Sequence, residues 1–258
     1  MISMSSLYQH PNYQATLENF EEQVNNGECI YTAWGLFKSI HTDITKNKCP
    51  ICECILDGSI NRITNSGFMV VKATIDHYRP QEYYPFLKCD DKNYILMCSE
   101  CNTEYKKSKF PLFPLNSTRW SEEQFIDEKP LIVNPIIDNL LEIFDLVFIP
   151  KDLGKGILEL RAKEGLLEED NYLYAKAIET IKVFGLGDCE NNRHDNENIH
   201  NCRIRLLQIH YDKFYTLAKA RQIGKDEFLK ELSEHPENYH YGFTKFIAEE
   251  QFIIQGIF

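Results

Sequence analysis

The chain has 258 residues, 43% of them hydrophobic, and a formal net charge of −11. That length supports a large core, as one big domain or as a small module on a larger body, and no run reaches the ~18–20 apolar residues of a membrane span. The acidity argues against a whole surface built for phosphate, which needs Lys and Arg. The charge is uneven, however: residues 45–115 carry ten Lys and Arg against eight Asp and Glu, while the remainder carries 18 basic and 31 acidic residues. A mildly basic module on an acidic body is compatible with nucleic-acid chemistry in which a partner helps deliver the substrate.

The first residues, MISMSSLYQHPNYQ, have no basic start followed by an apolar run, so no signal peptide is expected and the default location is cytoplasmic. Residues 1–47 read as an N-terminal helical segment. In YQATLENFEEQVNNG, Leu17, Phe20 and Val24 fall at helical spacing, and Gly27 is a stop signal. YTAWGLFKSIHTDITKNK predicts a second, weaker helix.

Residues 48–115 form a cysteine-rich module. GFMVVKATIDHY is β-rich and follows the turn residues Asn65–Gly67, and NYILMC predicts a second short strand. SECNTEYKKSK has no Gly or Pro and predicts a helix that stops before Pro111. Residues 116–258 are mixed, then mostly helical. EIFDLVFIP and GILELRAK predict two strands joined across KDLGKG. NYLYAKAIETIKVFGLG carries Leu173, Ala177, Ile181 and Phe184 on one stripe and ends in glycines. Two further helices are expected in residues 196–220 and 241–255, and residues 185–198 are the candidate mobile loop.

Nine cysteines, an odd number in a long chain without an export signal, do not suggest a disulfide scaffold. Cys49-Pro-Ile-Cys52 and Cys98-Ser-Glu-Cys101 are two Cys-x₂-Cys knuckles, each able to present two thiolates to one tetrahedral ion. Four soft thiolates favour zinc over magnesium or calcium. Cys54 and Cys89 are possible substitute ligands, and Cys29, Cys189 and Cys202 read as small buried residues. A closed four-cysteine zinc site is structural, so the chemistry must lie elsewhere.

Between the knuckles, Asp76 and His77 stand together at the end of the β-rich segment, Asn93 opens the second strand, and Asn102 follows the last zinc cysteine. A neutral imidazole takes a proton from water near neutral pH, and a hard cation such as Mg²⁺ needs oxygen ligands. Because adjacent strand residues point to opposite sides, Asp76 and His77 are expected where the strand turns. Taken singly, an Asp-His pair reads as a solvated turn and Asn102 as a helix N-cap.

With its knuckles, ATIDHYRP, Asn93 and the run CNTEYK, the chain resembles the HNH endonucleases of the ββα-metal type. The resemblance implies an α+β fold, with a zinc-stabilised HNH module embedded in a mostly helical body. His77 would be the general base, Asp76 and Asn102 the ligands of a catalytic Mg²⁺ or Mn²⁺, and Asn93 the residue that ties the strands together and orients the base. The last motif position, often His, is Asn102 here. YKKSKFPL, LIVNPIID and AIETIKVFGLG extend the likeness to the HNH proteins of Septu-type and retron-associated anti-phage systems. That likeness implies an ABC/SMC-like ATPase partner, for which the acidic body would be the docking surface. The substrate would be nucleic acid, DNA ahead of RNA. Arg79, Lys106, Lys107 and Lys109 are the candidate phosphate contacts, and Lys106 shares a helix face with Asn102. Two alternatives stand beside this reading: a zinc-knuckle binding module without chemistry, and a restriction-like HNH enzyme that acts alone.

Overall fold

In the computed structural model, residues 1–27, 29–54, 56, 62–64, 67–69, 71–115, 122, 124–150, 156–186, 226 and 230 are described. The first predicted helix is α1 (Tyr13–Asn25). The second breaks at Gly35 into α2 (Tyr31–Trp34) and α3 (Lys38–Ile44), with a short 3₁₀ turn between them. The long β-rich segment also divides. Its first part is β2 (Gly67–Met69), a hairpin partner of β1 (Arg62–Thr64). Its second part is β3 (Ala73–His77), antiparallel to β4 (Tyr94–Cys98), with Ala73 opposite Cys98 and His77 opposite Tyr94.

After β4 the expected helix is present, but as a π-helix over Glu100–Lys106. Its wider turn shows in the Lys107 N–H bond to the Asn102 carbonyl, 2.8 Å, five residues back. Lys107 ends it with φ of +50°.

The chain continues through the small pair β5 (Leu112–Phe113) and β6 (Lys129–Pro130), then α4 (Leu140–Ile143). Strands β7 (Phe144–Pro150) and β8 (Gly156–Ala162) pair antiparallel, as the two hydrophobic runs predict. A short α5 (Leu166–Glu169) leads into α6 (Asn171–Phe184). Asp170 caps α6 by accepting from the N–H groups of Tyr172 and Leu173, and Gly185 closes it at φ +61°. The helices expected in residues 196–220 and 241–255, and residues 187–198 of the candidate loop, lie outside the described residues. The fold is thus α+β, with helices around small antiparallel sheets. No helix among the described residues is long and apolar enough to cross a membrane.

Every residue of β4 is buried, because the strand is covered on both faces. On one face, Phe20 of α1 and Phe37 pack against Tyr94, with ring centroids 5.7 Å apart in each pair. On the other side of the hairpin, the π-helix meets α6, where a Cβ at Gly185 would stand 2.8 Å from the Tyr105 ring. Glycine there therefore serves both the positive φ and the close approach. One hydrophobic core runs through these parts, from Leu7 and Phe20 through Ile95 and Met97 to Val133 and Phe184.

His41, on α3, is buried, its Nδ1 has no hydrogen-bond partner, and burial holds its imidazole down to about 3. Because the unfolded imidazole charges near 6.5 and the folded one does not, stability is lost as pH falls from 6.5 toward 3. The His41 contribution to the slope is about 1.4 kcal/mol per pH unit. Urea unfolding at a series of pH values checks it, and His41→Leu should remove that component of the slope.

Candidate functional site

The two knuckles come together. The Sγ atoms of Cys49, Cys52, Cys98 and Cys101 all lie within 4.8 Å of one another, in a buried setting. Cys49 and Cys101 are 3.7 Å apart at sulfur, as are Cys52 and Cys98. Zinc–sulfur bonds of about 2.3 Å in a tetrahedron place sulfurs about 3.8 Å apart, so the set fits one zinc ion. The separations are far too long for disulfides. Local backbone holds each knuckle ready. Cys49 N–H donates to the Cys54 carbonyl at 2.9 Å, and Glu53 N–H to the Cys49 carbonyl at 2.8 Å, with Glu53 at φ +59°. Cys98 N–H points at Cys49 Sγ and Cys101 N–H at Cys98 Sγ, both at 3.3 Å.

The substitute ligands fall away. Cys54 is buried nearby but lies outside the set of four. Cys89 is bonded to Cys29 as a disulfide, with Cα atoms 6.0 Å apart. Sequence reasoning expected neither a disulfide nor this partner for Cys29, because their 60-residue separation carries no local signal.

The second knuckle pins the end of β4 and the start of the π-helix, and so lays the π-helix against β3. Asn102 Nδ2 donates to Thr74 Oγ1 at 3.1 Å, which leaves Asn102 Oδ1 for another partner. Thr74 and Asp76 are two residues apart on one strand and share a face. Lys106, one turn further on, reaches the same face. Its ammonium lies 2.7 Å from Asp76 Oδ2 and donates to the His77 carbonyl at 2.9 Å. The contact with Asp76 is one of charge, since Oδ2 receives no well-directed hydrogen bond. Burial pushes the Asp76 carboxyl up from its ordinary value, and the Lys106 ammonium opposes that shift. Asp76 and Asn102 thus offer a carboxylate and an amide oxygen, a donor set suited to a hard divalent cation. Such an ion and Lys106 would compete for Asp76 Oδ2.

His77 lies at the end of β3, 5% exposed, against Trp34 and Tyr94 at ring-centroid distances of 5.1 and 5.2 Å. Its Nε2 is 3.0 Å from the Lys88 carbonyl, and Gln81 Nε2 is 3.0 Å from its Nδ1. A carbonyl only accepts, so Nε2 carries the proton, and a neutral ring then has its lone pair on Nδ1. Burial lowers the affinity of this ring for a second proton. Gln81 is exposed, so a rotation of its side chain would open Nδ1 to water.

Asn93 sits just before β4 and joins three points of the connecting loop. Its Oδ1 accepts from Arg79 N–H at 2.7 Å, and its Nδ2 faces the carbonyls of Arg79 at 3.0 Å and Leu87 at 3.2 Å. It therefore fixes the loop that carries Gln81 and Lys88.

The chain is 26% identical over 245 residues to the Septu protein PtuB of Bacillus thuringiensis, spanning 87% of this chain and 84% of that protein. No protein-family model matches the sequence, and no solved structure matches it.

Two of the four candidate phosphate contacts face inward. Lys106 is 0% exposed and held by Asp76, so a phosphate cannot reach it in this conformation. Arg79 is buried and pairs with Glu128, between the rings of Tyr84, Phe110 and Phe125. Its partner is 49 residues along the chain, beyond any local pattern. Lys107 and Lys109 are exposed, and Lys109 lines a cleft of about 440 Å³ with Tyr83, Phe110 and Lys182. Trp34, Gln81, Thr74 and the Lys88 carbonyl were not picked out in the sequence. Only Thr74, two residues before Asp76, and Gln81, four after His77, stood in a spacing that pointed here.

Cys101→Ser should lose zinc and stability together, by metal analysis and thermal unfolding, because the cluster joins two distant chain segments. Asn93→Ala should cost about 2–3 kcal/mol in urea unfolding, since it strands buried backbone groups of the loop.

Proposed function

We propose that this chain is an HNH-type endonuclease that hydrolyses nucleic-acid phosphodiester bonds, and that it serves as the nuclease of an anti-phage complex. The observation that carries the reading is the convergence on β3. Asp76, Asn102 and Lys106 meet on one side of the strand, His77 ends it with a defined tautomer, and the four-cysteine cluster fixes the segment that brings Asn102 there. Support for the defence role comes from the 26% identity to the Septu protein PtuB over most of both chains.

In this reading His77 Nδ1 accepts a proton from the attacking water once Gln81 has moved aside. The Nε2–H bond to the Lys88 carbonyl keeps the ring in that tautomer and stabilises the imidazolium that results. Asn93 holds the loop from which Lys88 and Gln81 act. Asp76 and Asn102 would hold a Mg²⁺ or Mn²⁺ ion, which would supply positive charge at the scissile phosphate and the leaving 3′ oxygen. The products are a 5′-phosphate and a 3′-hydroxyl. Lys107 and Lys109 remain as the exposed contacts for nucleic acid, and DNA is the expected substrate. The net charge of −11 suits docking on a partner, here an ABC/SMC-like ATPase, better than independent capture of DNA.

A second reading, a zinc-knuckle binding module without chemistry, finds support in one feature: Lys106 already satisfies the charge of Asp76. Plasmid nicking separates the two. A nuclease nicks in Mg²⁺ or Mn²⁺ and stops when the divalent ion is withdrawn, whereas a binding module shows no cleavage in either condition. His77→Ala should reduce nicking by at least about 100-fold, with zinc content and unfolding temperature unchanged. Wild-type cleavage by His77→Ala would remove His77 from the mechanism.

A further inference from the structure

The Cys29–Cys89 disulfide joins the two segments that touch His77 from outside the β3–β4 hairpin. Cys89 directly follows Lys88, whose carbonyl is 3.0 Å from His77 Nε2 and also accepts from the Tyr94 hydroxyl at 2.8 Å. Cys29 lies two residues before α2, whose Trp34 meets the His77 ring at 5.1 Å. The same two segments meet again where the Lys88 ammonium lies 6.0 Å from the Trp34 ring. The imidazole ring and its Nε2 are thus both contacted by parts that a single covalent bond draws together. The α2 helix is only four residues long, too short to be stable by itself. Both cysteines are half-buried, within reach of small oxidants and reductants.

We propose that the Cys29–Cys89 disulfide is a redox-cleavable clamp that holds His77 in its working position, so that turnover is high with the bond formed and low with it reduced. This rests on the nuclease reading. A hydroperoxide forms the clamp: the peroxide O–O bond breaks, the two thiols lose two electrons and two protons, and the S–S bond forms. With hydrogen peroxide, both oxygens leave as water. A dithiol reverses the change, returning two electrons and two protons to the cysteines and becoming a disulfide itself. The four cysteines of the cluster are buried whereas Cys29 and Cys89 are half-buried, so a mild oxidant reaches the two sulfur sites unequally.

The experiment compares the full-length zinc-loaded protein after mild peroxide and after dithiothreitol, with Cys29→Ser/Cys89→Ser alongside. Alkylation and mass spectrometry should recover a Cys29–Cys89 linked peptide only after peroxide. On plasmid DNA with Mn²⁺, reduction should lower kcat by about 10- to 100-fold, the scale set by a small misplacement of a catalytic group. KM and zinc content should not change, and reoxidation should restore kcat. The double serine variant should stay at the low rate whatever the redox state. Cysteines that remain free after peroxide, or equal kcat in both states, overturn the clamp. If the oxidised wild type does not nick at all, the nuclease reading fails, and the clamp is judged by fluorescence in Trp120→Phe, where Trp34 is the one indole left. A red shift of Trp34 emission on reduction supports it, and an unchanged spectrum overturns it.

Discussion

Four sulfurs in one small buried volume are the constraint from which the rest of the site follows. Cys49 and Cys101 are 52 residues apart in sequence, Cys52 and Cys98 are 46 apart, and both pairs close to 3.7 Å at sulfur. Four thiolates so close repel one another, and a dication between them removes that repulsion and supplies folding energy. The cluster anchors the end of β4 and the beginning of the π-helix together. Asn102, next to Cys101, is then delivered to Thr74 with little freedom of its own.

The residues on the two sides of β3 are held in different ways. On the Asp76 side, the π-helix supplies Asn102 and Lys106, and a buried charge is balanced by a buried charge. On the His77 side the contacts are aromatic and backbone: Trp34, Tyr94 and the Lys88 carbonyl. A strand whose successive side chains point in opposite directions can serve both only at its end, and His77 is the last residue of β3. Asn93 and the Cys29–Cys89 bond then stabilise the loop on the His77 side, one by hydrogen bonds and one covalently.

What could be read from the sequence was what depends on near neighbours. The knuckles, the α6 stripe with its terminal glycine, and the β7–β8 pair follow from spacing and turn residues, and the structure has them at those places. The π-helix was legible as a helix, but its wider turn was not, and that turn is what carries Lys106 inward to Asp76. Arg79 and Lys106 were read as surface cations because their partners are distant in sequence: Glu128 for one, and a carboxylate on a neighbouring strand for the other. The split of the β-rich segment into β2 and β3 likewise depends on two different pairing partners, neither of which a local pattern reveals. Cys29 read as a small buried residue and Cys89 as a possible zinc ligand for the same reason.

In the proposed nuclease, the cluster brings Asp76 and Asn102 to one divalent ion beside His77. Anomalous diffraction from a crystal of the zinc-loaded protein soaked in Mn²⁺ tests it most directly. The expected result is a zinc peak among Cys49, Cys52, Cys98 and Cys101 and a separate manganese peak at Asp76 and Asn102, with the Lys106 ammonium moved off Asp76. Manganese bound elsewhere, or no manganese at Asp76 while Lys106 keeps its place, would contradict it.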